Sequence, residues 1–399
     1  MKVLVVCQHY WPENFRITEI CEALAARGHE VTAVVGLPNY PSGNVPREYK
    51  WFRNRRQERG GVQIRRCFEI GRKPGKVGLA VNYISYMLSA CLKVLFLKRD
   101  YDVIYAYSTS PVLMSLPGAF LRCFTRKKLM IYVLDIWPAC LAAMNVHEGS
   151  VLYAFMKRVS RWIYGKADML IYSSKRFQQY LRNVHGIEVS DEQYMPQFAD
   201  DIFREALPGV QSSKEQVNLV FAGNIGKVQA IEVLIRAAAL LKHRPVRWHI
   251  VGDGSNYEAC VELAASLKLE GTVTFYGRRP LADMPSFYAM ADAMLVSMRD
   301  DISVNDTLPG KVQSYMAAGK PVLGSIAGET PYVISRAKCG YCAPPEDPEA
   351  FAKVVERFLL APDRREMGER GKAYYEAHFT KDEHMDRLEK MLETLAGGT

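Results

Sequence analysis

A chain of 399 residues with 49% hydrophobic and 24% charged residues has the make-up of a folded globular protein. It is too long for one ordinary core and suits two domains of about 200 residues each, which excludes a disordered or low-complexity chain. The net charge of +9 is uneven: residues 1–200 hold 28 Lys and Arg against 16 Asp and Glu, and the remainder 24 against 27.

The first run, MKVLVVCQHYWPENF, has no long apolar leader core and no small-residue cleavage site, and reads as a first buried strand. The helix ITEICEALAARGHE follows, with Gly28 as its stop, and EVTAVVG forms the second strand. Arg47–Lys76 then carries 11 basic and 3 acidic residues beside Trp51 and Phe52. Such a run faces anionic lipid, solvent or nucleic acid, in that order of preference.

Val77–Leu97, VGLAVNYISYMLSACLKVLFL, is long enough to span a bilayer. Asn82, Ser85, Ser89 and Lys93 fall at roughly helical spacing, however, so one stripe is polar. A core helix, or one lying on a membrane surface, is the reading. Strands continue through VQIRRC, DVIYAY, LMIYVLD and ADMLIYSS, and the alternation restarts with VNLVFAG, RWHIVGDG, TVTFYG, DAMLVSM, PVLGSI and CGYCAP. Alternating β-branched runs and amphipathic helices mean parallel sheets covered on both faces.

The boundary lies in Tyr194–Gln216, where Pro196, Pro208, Gly209 and serines cluster. The expected domains are 1–200 and 201–378, with 379–399 a charged helix packing back across the boundary. Cysteines sit mostly in apolar runs, as free thiols of a reducing compartment do. Cys339 and Cys342 have C-x-x-C spacing but no second ligand pair, so neither a redox nor a zinc role is read there.

Ligands of doubly wound sheets bind outside the carboxyl ends of the strands. Three such loops stand out in the second half. FAGNIGKVQ places Gly223, Asn224 and Gly226 between a strand and a helix, where backbone N–H groups can approach an anion. VGDG brings Gly252, Asp253 and Gly254, without the complete dinucleotide fingerprint. LPGKVQSYMAAGKPVL starts a short helix with Pro309 in its first turn, Asp306 or Thr307 as cap, Gly319 as stop and Lys311 at its positive end. Three glycine-containing loops and one lysine fit a diphosphate.

The order GHEVTAVVGLPNYPSG, DIWP, FAGNIGKVQ, VGDG, YGRRP, LPGKVQSYMAAGKPVL and GE resembles glycosyltransferase family 4, and within it the WbuB-like enzymes of O-antigen, capsule and colanic acid synthesis. The resemblance runs from Met1 to about His378. It implies the GT-B fold, α/β with two Rossmann-like doubly wound domains facing across a cleft. It further implies a retaining transfer from a nucleotide sugar, with UDP the expected nucleotide, no nicotinamide and generally no metal.

Carried over by position, the resemblance puts Gly223, Asn224 and Gly226 near the donor diphosphate. Gln229 stands where many members have a lysine, a charge that Lys311 can supply. Gly252, Asp253, Gly254, Tyr276 and Gly277 resemble the loops around the nucleobase. The family's glutamate pair falls on Asp306 and Ser314, which leaves ribose recognition to Ser314 or Glu329. In the first domain Asp135, at a strand end, matches an acceptor-side position, where a carboxylate can orient a hydroxyl. His9, Glu13 and Arg16 are candidates for acceptor or donor-sugar contacts.

Catalytic roles are thus expected for Asp135 and Lys311, with a lipid-linked acceptor and no nucleic-acid partner. The enzyme is expected in the cytoplasm, against the inner face of the plasma membrane through Arg47–Lys76 and Val77–Leu97. The alternatives are a GT-B-shaped nucleotide-sugar epimerase or hydrolase, and a non-catalytic sugar-nucleotide or nucleic-acid binding protein.

Overall fold

The computed structural model describes residues 1–205 and 216–397. The linker residues Pro208, Gly209, Ser212 and Ser213 lie outside the described residues. The chain divides into two units, Met1–Met195 with His384–Thr399, and Pro196–Glu383.

In the first unit the strands are β1 (Lys2–Val6), β2 (Glu30–Val35), β3 (Arg56–Arg59), β4 (Val62–Arg66), β5 (Val103–Ser108), β6 (Lys128–Val133) and β7 (Met169–Tyr172). They form one sheet in the order β3-β4-β2-β1-β5-β6-β7, with every pairing parallel except β3–β4. Its helices are α1 (Arg16–Ala26), α2 (Gly75–Leu95), α3 (Leu116–Phe124), α4 (Val151–Tyr164) and α5 (Lys175–Tyr180). The strand order reverses direction between β1 and β5, which is the switch point where such sheets bind ligands.

The second unit holds β8 (Val217–Ala222), β9 (Val246–Val251), β10 (Val273–Gly277), β11 (Ala293–Ser297), β12 (Val322–Ser325) and β13 (Gly340–Ala343), in the order β10-β9-β8-β11-β12-β13. This 3-2-1-4-5-6 arrangement is that of a dinucleotide-type sheet, with its switch point between β8 and β11. Helices α6 (Ile231–Leu240), α7 (Tyr257–Ser266), α8 (Met284–Met290), α9 (Ile302–Asn305), α10 (Gly310–Ala317), α11 (Glu329–Ala337), α12 (Pro348–Leu360) and α13 (Arg364–His378) follow in chain order, and α14 (Lys381–Gly397) ends the chain. Asp347 caps α12 by accepting a hydrogen bond from Ala350 N at 2.8 Å, with Pro348 at the first helical position.

Every strand read from the sequence forms, because buried parallel strands need unbroken β-branched runs. Strand β3 is additional. Its sequence RQER has no apolar alternation, and it exists as an antiparallel edge partner of β4.

Helix α2 begins at Gly75 and ends at Leu95, not Val77 to Leu97. Its polar stripe turns inward. Asn82 is fully buried and donates to Glu69 at 2.7 Å, Ser85 Oγ accepts from Ile70 N at 3.0 Å, and Ser89 donates to Phe68 O. Tyr86, Ala90 and Val94 pack into the core on the same side. The outward face is apolar instead, with Val77, Val81, Ile84, Leu88 and Leu92 all exposed. The helix is long and apolar enough to cross a membrane, yet one face is fastened to the protein by these bonds.

From His384 onward α14 packs on the first unit. Arg27 pairs with Asp386 at 2.7 Å and Glu389 at 2.8 Å, His29 with Glu389 at 2.6 Å, and Arg387 donates to Tyr194 O at 2.6 Å. Cys339 is buried beside β13, and burial pushes the Cys339 and Cys342 thiols up to about 12, as inert core groups.

Candidate functional site

At the carboxyl ends of β8 and β9 two glycine loops pack backbone against backbone. Gly223 and Gly252 both have φ near +142°, and a Cβ on Gly252 would lie 1.8 Å from Gly223 O. Only glycine permits that approach. Gly254 closes on Ile225 in the same way, a Cβ there meeting Ile225 O at 2.6 Å, and Gly252 N donates to Gly277 O at 3.0 Å. The loops after β8, β9 and β10 are therefore one interlocked layer.

Gln229 closes the first of them. Its Oε1 accepts from Asn224 Nδ2 and from Gly226 N, each at 3.0 Å, while its own carbonyl accepts from Ser297 Oγ at 2.6 Å. A single turn, Lys227–Gln229, separates Gly226 from α6, so the long helix starts at Ile231 and not directly after the glycine.

Helix α10 approaches the same layer. Pro309 is its N-cap, so neither Asp306 nor Thr307 caps it, and Gly319 ends it at φ +67°. Tyr315 pins the helix to β8, its hydroxyl donating to Ala222 O at 3.1 Å. That contact carries Lys311 to the glycine loop. Lys311 Nζ lies 3.9 Å from the centre of the Phe221 ring and 3.0 Å from where a Gly223 Cβ would stand. The ammonium is buried without a hydrogen-bond partner among the described residues, and desolvation pulls it from 10.5 down to about 7. A cation with no partner among the described residues, held out of water beside a glycine loop, has the chemistry to pair with an anion.

The other positions read from the sequence are placed as follows. Asp253 is half exposed, accepts from Gly254 N at 2.7 Å and faces Arg278 at 3.7 Å. Tyr276 hydroxyl and His249 Nδ1 are 2.9 Å apart. Ser314 is buried and donates to Gly310 O within α10. Glu329 is buried at the first position of α11, behind Gly328 at φ +81°, whose Cβ would strike Asn305 O at 1.9 Å. Thr330, next in that turn, is fully buried with no partner for its hydroxyl among the described residues; nothing in the sequence beyond its helix-start position marks it.

In the first unit the loops after β1, β2, β5 and β6 meet at the switch point. His9 Nδ1 lies 2.8 Å from Glu13, and its ring stacks on Phe15 at 4.5 Å. Glu13 also accepts from Asn39 N and Tyr40 N, both at 2.6 Å, so it holds the loop after β2. Arg16 turns to Glu19 at 3.0 Å. Asp135 accepts from Ser110 N at 2.8 Å, and burial raises its pKa. A second buried carboxylate, Glu69, grips the same β2 loop through Leu37 N and Asn39 Nδ2 and also bonds Gln8 and Asn82. Burial pushes it up to about 7. Its single acidic letter in a basic stretch carries no signal of this role.

Two switch-point sheets, one with a glycine layer beside a buried lysine, are the layout of the GT-B class. Known proteins agree. Residues 14–196 match the glycosyl transferase 4-like domain and residues 203–374 the glycosyl transferases group 1. The chain belongs to these family 4, group 1 glycosyltransferases.

WcaI of Escherichia coli K12, whose name places it in colanic acid biosynthesis, is 24% identical over 91% of this chain and 93% of its own. WbjE of Pseudomonas aeruginosa, named as a glycosyltransferase, is 25% identical over 70% and 71%. Sucrose-phosphate synthase of Thermosynechococcus elongatus shares the fold with a TM-score of 0.78 at 18% identity over the whole of both chains. HepE of Anabaena, solved with UDP and glucose, has a TM-score of 0.70 at 17% identity over 98% of this chain and 99% of its own.

Proposed function

We propose that the chain is a retaining glycosyltransferase that moves a sugar from a UDP-sugar to a lipid-linked acceptor in cell-surface polysaccharide synthesis, at the cytoplasmic face of the membrane. The observation that carries it is Lys311, buried against the Gly223 loop with no partner among the described residues. The name of one relative, WcaI, in colanic acid biosynthesis and a UDP-bound neighbour support the substrate class. The outward apolar face of α2 and the basic Arg47–Lys76 stretch support attachment to an anionic surface.

In this reading the diphosphate lies against Asn224 N and the first turn of α10, because the Gly223, Ile225 and Gly226 amides of the same loop donate to Val251 O, Asp253 O and Gln229 Oε1. The Lys311 ammonium neutralises charge that grows on the leaving phosphate as the glycosidic bond breaks. The same phosphate oxygen draws the proton from the acceptor hydroxyl on the same face of the sugar, which retains configuration. Asp135 orients that hydroxyl from the first domain, and Glu329 and Ser314 are the groups nearest in sequence to ribose recognition.

Thermal shift across UDP-, GDP- and dTDP-sugars is expected to single out a UDP-sugar. Nucleotide release is then expected to require acceptor. Equal release without acceptor would replace this reading by hydrolysis or epimerisation.

Donor affinity carries a pH signature. Lys311 titrates near 7 in the free protein, and a bound diphosphate raises that value, so binding takes up a proton. Affinity is expected to be flat in this group below about pH 7 and to weaken as pH rises, by about tenfold per unit until the bound-state value is reached. Calorimetry at pH 6.5 and 8.5 reads it, and Lys311→Met removes the slope.

A further inference from the structure

Strand β4 alternates in direction. Val62, Ile64 and Arg66 are buried on the α1 side, whereas Gln63 and Arg65 point to the opposite face, the one α2 covers over β1 and β5. Beyond α2 this face is open. A cavity of about 610 Å³ lies there, lined by Thr32, Gln63, Arg56, Arg65, Phe96 and Lys98 among others. Lys2 and Glu30 also line it, so it sits at the starting ends of β1 and β2, opposite to the strand ends that form the catalytic site.

Arg56 is the direct cross-strand partner of Arg65. Two guanidinium groups on one face of an antiparallel pair have Cβ atoms only about 5 Å apart, and like charges so placed repel. Neither has a carboxylate partner among the described residues; Arg65 donates to Gln63 Oε1 at 2.8 Å. Glu58 shares the face and pairs with neither, while Glu30 and Asp100 are engaged by Lys2 at 3.2 and 3.5 Å. Lys98 adds a third cation to the lining, also without a carboxylate partner among the described residues. The pair lacks an anion with several oxygens, and the arginine fork fits phosphate.

The rim says which phosphate. Phe96 is 85% exposed at the mouth, and the outward stripe of α2 continues from it through Leu92 and Leu88, 60% and 55% exposed. A cationic cavity bordered by an exposed apolar helix face has the polarity of one lipid molecule, charged head and apolar tail.

We propose that this cavity binds the phosphate headgroup of an anionic phospholipid through Arg56, Arg65 and Lys98, while the outward face of α2 lies among the acyl chains. The proposal rests on the membrane-surface reading above and adds to it a defined headgroup site, away from the chemistry.

The test is flotation of the full chain with vesicles of phosphatidylglycerol in phosphatidylcholine, without donor or acceptor. Arg56→Gln/Arg65→Gln is expected to weaken binding to the anionic vesicles by about 30-fold, the loss that two basic residues at such a surface carry. Weak binding to pure phosphatidylcholine is expected to stay as it was. Lys98→Gln alone is expected to weaken it several-fold, which keeps the test open should the double variant fold poorly.

Lys353→Gln/Arg365→Gln removes the same net charge from exposed positions of the other unit. An equal loss there would reduce the site to overall charge and overturn it. Millimolar inorganic phosphate that strips the wild type from vesicles at constant ionic strength would make free phosphate the ligand and overturn the lipid assignment. Wild-type affinity in the double variant ends the headgroup site alone, whereas a wild type that never floats ends the membrane-surface reading with it.

Discussion

Replacing Lys311 with methionine is expected to lower sugar transfer by about 10²-fold or more while making the free protein more stable. Both follow from one geometry. The ammonium has no hydrogen-bond partner among the described residues, is buried, and rests on the Phe221 ring 3.9 Å away. A lysine whose folded-state pKa of about 7 lies below its ordinary 10.5 binds protons more weakly in the fold than in the unfolded chain. Its penalty on stability is full below about pH 7 and vanishes as pH rises toward 10.5, so stability climbs through that window.

Methionine fills similar volume without a charge to desolvate. It is therefore expected to stabilise the free protein at pH 7 by a few kcal/mol, read as a rise of several degrees in Tm by calorimetry. Loss of an ion that meets growing charge in the transition state is worth a few kcal/mol in the other direction, read as kcat in a radiolabelled-sugar transfer assay. A methionine variant that is both as active and no more stable would remove Lys311 from the mechanism. One that is more stable and equally active would leave it a buried lysine and nothing more.

Gly252→Ala is expected to disable donor binding by separating the loops that form the layer. A Cβ at this position would stand 1.8 Å from Gly223 O and 2.9 Å from Gly223 C, both backbone atoms that move only with their strand end. The residue also has φ +142°, which side chains other than glycine's rarely adopt. Relief requires the ends of β8 and β9 to part, which weakens the Gly252 N to Gly277 O bond and shifts Gly223 away from Lys311.

The expected result is a loss of about 2–4 kcal/mol in stability and a donor affinity at least 10²-fold weaker, measured by calorimetry and titration with UDP. Gly277→Ala is the comparison. It has φ +65° but nothing within 4 Å of the added carbon, so only about 1 kcal/mol of backbone strain is expected. Equal stability of the two variants would contradict the interlocked layer.

Much of the architecture was written in local pattern. Runs such as KVLVVCQ, DVIYAY and VNLVFAG are strands because a sheet covered on both faces admits only apolar, mostly β-branched side chains, and that leaves an unbroken mark. The glycines after β8 and β9 were legible for a related reason, since a close backbone approach tolerates no other residue. The family followed from the order of such loops. The sequence determined the class of sheet, its alternation with helices and the strand ends at which to look.

Tertiary structure decided everything that depends on which way a side chain turns. Strand β3 has no pattern of its own and exists through its pairing with β4, which is also what sets Arg56 beside Arg65. The polar stripe of α2 was visible, but not that it points inward to Glu69, Ile70 and Phe68 while the apolar residues face out. Spacing alone is symmetric between those two orientations; the buried carboxylate of Glu69 breaks the tie. Gln229 could be counted as a missing cation, yet its role as the clasp of Asn224 and Gly226 appears only when the loop closes on it. And Lys311 was legible as the cation at a helix start, but its burial was decided only where Tyr315 fastens α10 to β8, because desolvation is a property of surroundings that no single residue carries in its own letter.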